Sequence, residues 1–174
     1  MHPFIELATR CVTLTSGLLD ETRKHVLAEL QQSGATSLVK ALQALELQSA
    51  IVAVGMVAMF EAALQDALDS ENGFREAERL IESTGNPELR ARFVNVQLAV
   101  NVLKHGRGRS HNDLLARQET LPFRVRAEDE LFEEGNVSEI GTLVQADDAF
   151  LRHCSETIDL VAAVVWEARP DAWV

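Results

Sequence analysis

The residues best suited to chemistry are concentrated between Asn101 and His111, in the run Asn101-Val102-Leu103-Lys104-His105-Gly106-Arg107-Gly108-Arg109-Ser110-His111. From Lys104 onward this segment holds three permanent cations, two imidazoles and one hydroxyl, with glycines that allow a close approach of backbone to ligand. Arg forks, the Lys104 point charge and the Ser110 donor suit a phosphate or phosphodiester. An imidazole, with a reference pKa of ~6.5, is the side chain best placed to exchange protons near neutrality. The same residues have an ordinary structural role open to them. Lys and His at a helix C-terminus favour the dipole by ~0.3 to 1 kcal/mol, and glycines make turns.

Gln97, Asn101 and His105 recur every four residues, which sets them in one polar line along a helix, with Asn101 placed to orient His105. Glu61 follows the apolar run Met56 to Phe60. It reads either as the solvent edge of a core helix or as a carboxylate that fixes the tautomer of a nearby histidine.

The chain that must position these groups has 174 residues, with 16 Lys and Arg against 27 Asp and Glu, a net charge of −11. Its pI near 4.9 excludes general coating of nucleic acid and leaves only a local basic patch for that purpose. With 47% apolar and 25% charged residues the composition is that of a globular domain. Aromatics at 5%, and no Tyr, argue against stacking platforms for single strands. Cys11 and Cys154 stand far apart and form no Cys-x-x-Cys pair, so neither a disulfide framework nor a zinc knuckle is expected. The acidic clusters lack a metal-ligand spacing, and no metal or cofactor is expected. The N-terminus lacks a secretory pattern, and the apolar stretch Leu47 to Phe60 falls short of the ~18 to 20 residues of a membrane span. A cytoplasmic protein without a membrane role is the expectation.

Apolar periodicity predicts an all-α, up-and-down bundle of about five helices forming a single domain over 1–174. The first helix runs from Phe4 to about Leu30 on Ile5, Val12, Leu19 and Val26, with Cys11 and Leu18 in the same stripe. The second runs from Leu38 to about Leu68 and is capped by Ser37. It is apolar on all sides through Ala50 to Phe60, and is expected to be surrounded by other helices. A third carries Phe74, Ala77 and Ile81. A fourth is bounded by Asn86, Pro87 and a left-handed Gly106 and buries Leu89, Phe93, Val96, Val100 and Leu103. Beyond the basic loop one turn of helix is expected at Asp113 to Arg117. The segment 119–144 reads as a small hairpin or extended arm, with a turn at Glu133 to Asn136. Its acidic residues, Glu128, Asp129, Glu130, Glu133 and Glu134, are either solvated or the partner of the basic loop. A last helix spans Asp147 to Arg169 and is ended by Pro170.

The run Met59-Phe60-Glu61-Ala62-Ala63-Leu64-Gln65-Asp66, followed by Asn101 to Ser110, resembles HEPN-type domains, helical bundles of prokaryotic defence and toxin-antitoxin proteins. That resemblance implies a homodimer, RNA or a nucleotide as ligand, an antitoxin or regulatory protein as partner, and metal-independent ribonuclease activity. Active members carry an Arg-x(4 to 6)-His motif, often Arg-Asn-x-x-x-His, at the dimer interface. Asn101 and His105 match its Asn and His. The Arg position holds Val100, and Leu98 and Ala99 supply no charge either. His111 finds only Lys104 at the permitted spacing. Either Arg107 or Arg109 replaces the missing guanidinium from the loop, or the domain has lost catalysis and is a dimerisation or regulatory module.

Overall fold

A computed structural model describes residues 3–127, 130 and 139–173, without the side chains of 3, 4, 172 and 173. Six α-helices occur among these residues: α1 (Pro3–Leu30), α2 (Thr36–Leu68), α3 (Gly73–Ser83), α4 (Pro87–His105), α5 (Arg109–Leu115) and α6 (Asp148–Ala168). Single 3-10 turns follow at Gln118–Thr120 and Pro170–Trp173. The chain is an all-α helical bundle, as the periodicity predicts.

Local chemistry explains most boundaries. Asn72, Asn86 and Asp147 each accept a backbone N–H three residues on, from Arg75, Leu89 and Phe150, so α3, α4 and α6 start with a satisfied donor. The start of α2 is different. Ala35 occupies the cap with no side-chain bond, and Ser37, expected as the cap, lies inside the helix. Gly106 ends α4 with φ +73 and ψ −134, a region that glycine tolerates but not the αL conformation expected there.

The main core is built from all the helices around Phe60, Phe93, Leu64, Leu151 and Ile158, all almost fully buried. Phe93 meets both Phe60 and Phe74 edge to face, with ring centroids 6.4 and 5.4 Å away, joining α4 to α2 and α3. Arg92 donates to Thr157 at 2.7 Å and ties α4 to α6. Cys154 lies in this core, where burial pushes its thiol up to about 12. A second, smaller cluster of Leu19, Val26, Leu42 and Leu45 belongs to α1 and α2 alone. Arg23 pairs with Glu46 across the same two helices, while Leu7 and Cys11 lie against Val52 to Met59, so the two run antiparallel.

Two expectations about these long helices are corrected. In α1 the Ile5, Val12, Leu19, Val26 stripe is buried, but Cys11 and Leu18, assigned to it, face solvent. In α2 the expected enclosure is one-sided. Phe60 and Ala53 are fully buried, while Ile51 and Met59 are 62% and 61% exposed, because none of the described helices covers the far side. By length and composition α2 is also the one described helix apolar enough to cross a membrane.

Among the described residues the segment after α5 contributes one antiparallel bridge, Val125 to Val144. Arg126 N–H donates to the Leu143 carbonyl and Gln145 N–H to the Arg124 carbonyl. Glu130 pairs with Arg124 and not with the basic loop. The expected turn at Glu133 to Asn136, and Glu128, Asp129, Glu133 and Glu134, lie outside the described residues.

Candidate functional site at the end of helix α4

Helix α4 carries the polar line outward to its C-terminus. There the Gly106 N–H closes the last turn on the Val102 carbonyl at 2.8 Å. Gly106 and Gly108, with φ of +73 and +148, reverse the chain within three residues, and α5 begins at Arg109. The expected single turn at Asp113 to Arg117 therefore starts four residues earlier. Its cap is a glycine with no side-chain signature, and this hid the start in the sequence.

The geometry sorts the candidate residues into three groups. Asn101, Lys104, His105, Arg107 and Arg109 are exposed and share this end of α4. Arg109 is wide open, with its side chain 95% exposed and its Nε 3.8 Å from the Asp113 carboxylate. Among the described residues neither Lys104 nor His105 has a hydrogen bond or ion pair, and no bond joins Asn101 to His105, so the expected orientation of the imidazole by Asn101 is not present. Ser110 is half-buried.

The second group turns inward. His111, expected on the ligand-binding surface, is fully buried, and its Nε2 donates to the Arg126 carbonyl at 2.6 Å. An imidazole with no solvent access does not meet a ligand at the loop. Its burial follows from α5 itself, which presents His111 and Leu114, three residues apart, on the face toward the core.

The third group lies away from the loop. Gln97 donates to Glu78 at 3.1 Å and fastens α4 to α3. Glu61 is half-buried at the start of α3, where its carbonyl oxygen crowds Gly73, and it has no bond to a histidine among the described residues.

The bridge segment that receives His111 carries buried charge that the sequence did not reveal. Arg126 and Glu139 pair at 2.6 Å with side chains 8% and 4% exposed, and Arg126 also donates to the Ile140 carbonyl at 3.1 Å. Arg23 and Glu46 pair at 2.6 Å nearby. Together with Gln145 and Asp147 these four residues line a polar cavity of about 210 Å³. Burial pushes the Glu46 carboxyl above its ordinary value, Arg23 opposes this and the Asp147 charge adds to it. The available signal was the alternation Arg124-Val125-Arg126. It sends Val125 to the core and both guanidiniums to the opposite side, but it does not name Glu139 as their partner.

The outer cluster can therefore hold an anion, and His105 can exchange a proton with it. No described group of three His, Cys, Asp or Glu residues is placed to hold a metal ion. Compared with family models, curated proteins and solved structures, the chain matches none.

Proposed function

We propose that the chain binds RNA or a nucleotide through a phosphate held at the end of α4 by Lys104, His105, Arg107 and Arg109, as a divergent HEPN-like protein. One observation carries this reading. In a chain of net charge −11, four cationic or titratable side chains within six residues are all exposed where two positive-φ glycines free the backbone. Guanidinium forks and the ammonium would take the phosphate oxygens, and the glycines allow close backbone approach.

Cleavage is the stronger form of the proposal. His105 would remove the proton of the 2′-hydroxyl or protonate the leaving 5′-oxygen, while Arg107, Arg109 and Lys104 stabilise phosphorane charge. Such acid-base help amounts to ~10²- to 10⁴-fold in rate. The burial of His111 favours the alternative of a binding or regulatory module, because it leaves His105 as the one exposed imidazole at this end of α4 for two proton transfers.

The test is binding and cleavage of end-labelled structured and single-stranded RNA in EDTA, comparing wild type with His105→Ala and Arg109→Ala. The expected result is salt-sensitive binding, weakened by Arg109→Ala, with cyclic phosphate ends that disappear in His105→Ala if the protein cleaves. Binding with no cleavage assigns a regulatory module. The absence of binding across several RNAs and nucleotides overturns the proposal.

A further inference from the structure

The long helices α1 and α2 present an apolar face that no other described residue covers. On α1, Leu7, Cys11, Leu14 and Leu18 follow spacings of four, three and four, and the three leucines are 65%, 75% and 63% exposed. On α2, Leu47, Ile51 and Met59 are 50%, 62% and 61% exposed. The two stripes adjoin. Leu7 and Cys11 share the walls of an apolar groove with Val52, Gly55, Met56 and Met59, and a Cβ on Gly55 would meet nothing within 4 Å.

We propose that this face is a self-association seam, and that its occupant is the same face of a second copy, forming a four-helix interface. The first argument is area. Six large side chains at these exposures leave on the order of 600 Å² of apolar surface, at the upper end of what an ordinary monomer shows. With the small residues between them the face approaches the ~800 Å² that each partner of a stable complex buries.

The second argument is charge. Two chains of −11 repel, and they approach most easily where neither carries charge. No ionisable residue other than Cys11 occurs from 11 to 19 or from 47 to 60. The third is shape. Apolar residues alternating at three and four form the seam that packs helices at a shallow crossing angle, and a two-fold axis pairs one antiparallel helix pair with its copy. A lipid surface fits less well, because the rim charges of α1 pair among themselves, Arg10 with Glu6 and Lys24 with Asp20 and Glu21, and leave no basic excess to draw anionic headgroups.

The seam has a definite relation to the basic loop. Ile51 and Phe60 are nine residues apart, half a turn out of phase at 100° per residue, and Phe60 faces Phe93 of α4. The seam and α4 are thus on opposite sides of α2. Two copies joined there carry their His105 residues outward as separate sites, unlike the interfacial histidines that the HEPN resemblance implies. The inference does not rest on phosphate binding.

Sedimentation velocity of the full chain from about 1 to 100 µM is the test. The expected species has twice the 19.2 kDa chain mass. Leu14→Glu and Ile51→Glu should each weaken its association at least ~100-fold, with circular dichroism unchanged because both side chains are exposed. A wild-type monomer at every concentration overturns the proposal, as does a dimer that survives both substitutions. A monomer that pellets with phosphatidylcholine–phosphatidylglycerol vesicles, or one held by a different protein, overturns it too and assigns the face to that occupant.

Discussion

His111 Nε2 lies 2.6 Å from the carbonyl oxygen of Arg126, with the imidazole closed off from solvent, so the last residue of the basic run fastens α5 to the bridge segment instead of facing outward. Replacing it with alanine removes a buried ring and orphans a carbonyl. We expect His111→Ala to lower stability by about 2 to 4 kcal/mol, whereas His105→Ala, at an exposed helix end, changes it by less than about 0.5 kcal/mol. Chemical denaturation of the two variants checks this, and equal losses would refute the assignment of roles.

The Arg126 and Glu139 pair makes a second prediction. Arg126→Met removes the closer of the two guanidiniums at the buried Glu139, at 2.6 Å against 3.6 Å for Arg124, so alone it should cost about 3 kcal/mol, the low end for a broken buried pair. Arg126→Met combined with Glu139→Leu should recover most of that loss, since an apolar pair of similar volume has no charge to solvate. A double-mutant cycle on unfolding free energies reads the coupling, and strict additivity would show that the pair is not a unit.

Glycines separate cleanly into tight and open positions. A Cβ at Gly73 would fall 2.7 Å from the Gln65 nitrogen and 2.7 Å from Leu64 Cβ, where backbone cannot easily yield. Gly73→Ala should therefore destabilise by about 1 to 3 kcal/mol. Gly17, inside α1 with nothing within 4 Å, should gain about 0.5 to 1 kcal/mol on substitution by alanine. Thermal melts of both variants should move in opposite directions.

The half-buried His153 adds an acid-side dependence. Burial, then the Arg92 charge, lower its pKa to about 4, against a weaker opposing pull from Glu156. The unfolded chain titrates near 6.5, so between those values it binds more protons than the folded one. The stability tied to His153 is complete above 6.5 and is lost as pH falls toward 4, at no more than ~1.4 kcal/mol per pH unit. His153→Gln should flatten the stability curve in that window. An unchanged slope would place the titration elsewhere.

How much of this was legible depended on distance along the chain. The start of α4 could be read from Asn86 and Pro87 because a cap is a contact between residues three apart. Its buried face could be read from Phe93, Val96 and Val100 because periodicity is local too. The one-sided exposure of α2 was not readable, since a helix apolar all round specifies no direction for its neighbours. Nor was the bond of His111 to Arg126, fifteen residues away, or the Arg126 and Glu139 pair, because like-typed residues in a sequence do not announce which of many opposite charges they will meet. The candidate site was thus half visible: its exposed cations by composition, its buried support by structure alone.

The small cluster of Leu19, Val26, Leu42 and Leu45 gives the α1–α2 tip a different life from the rest of the bundle. Its apolar contacts come from two helices alone, with one further tie from Gln43 to the Glu139 carbonyl, so we expect the tip to open as its own cooperative unit at a lower free energy than global unfolding. Its amides should exchange with solvent hydrogen well before those around Phe60 and Phe93. The Arg23 and Glu46 pair stands at the border between the two regimes, so fraying that begins at the tip reaches the polar cavity before it reaches the core.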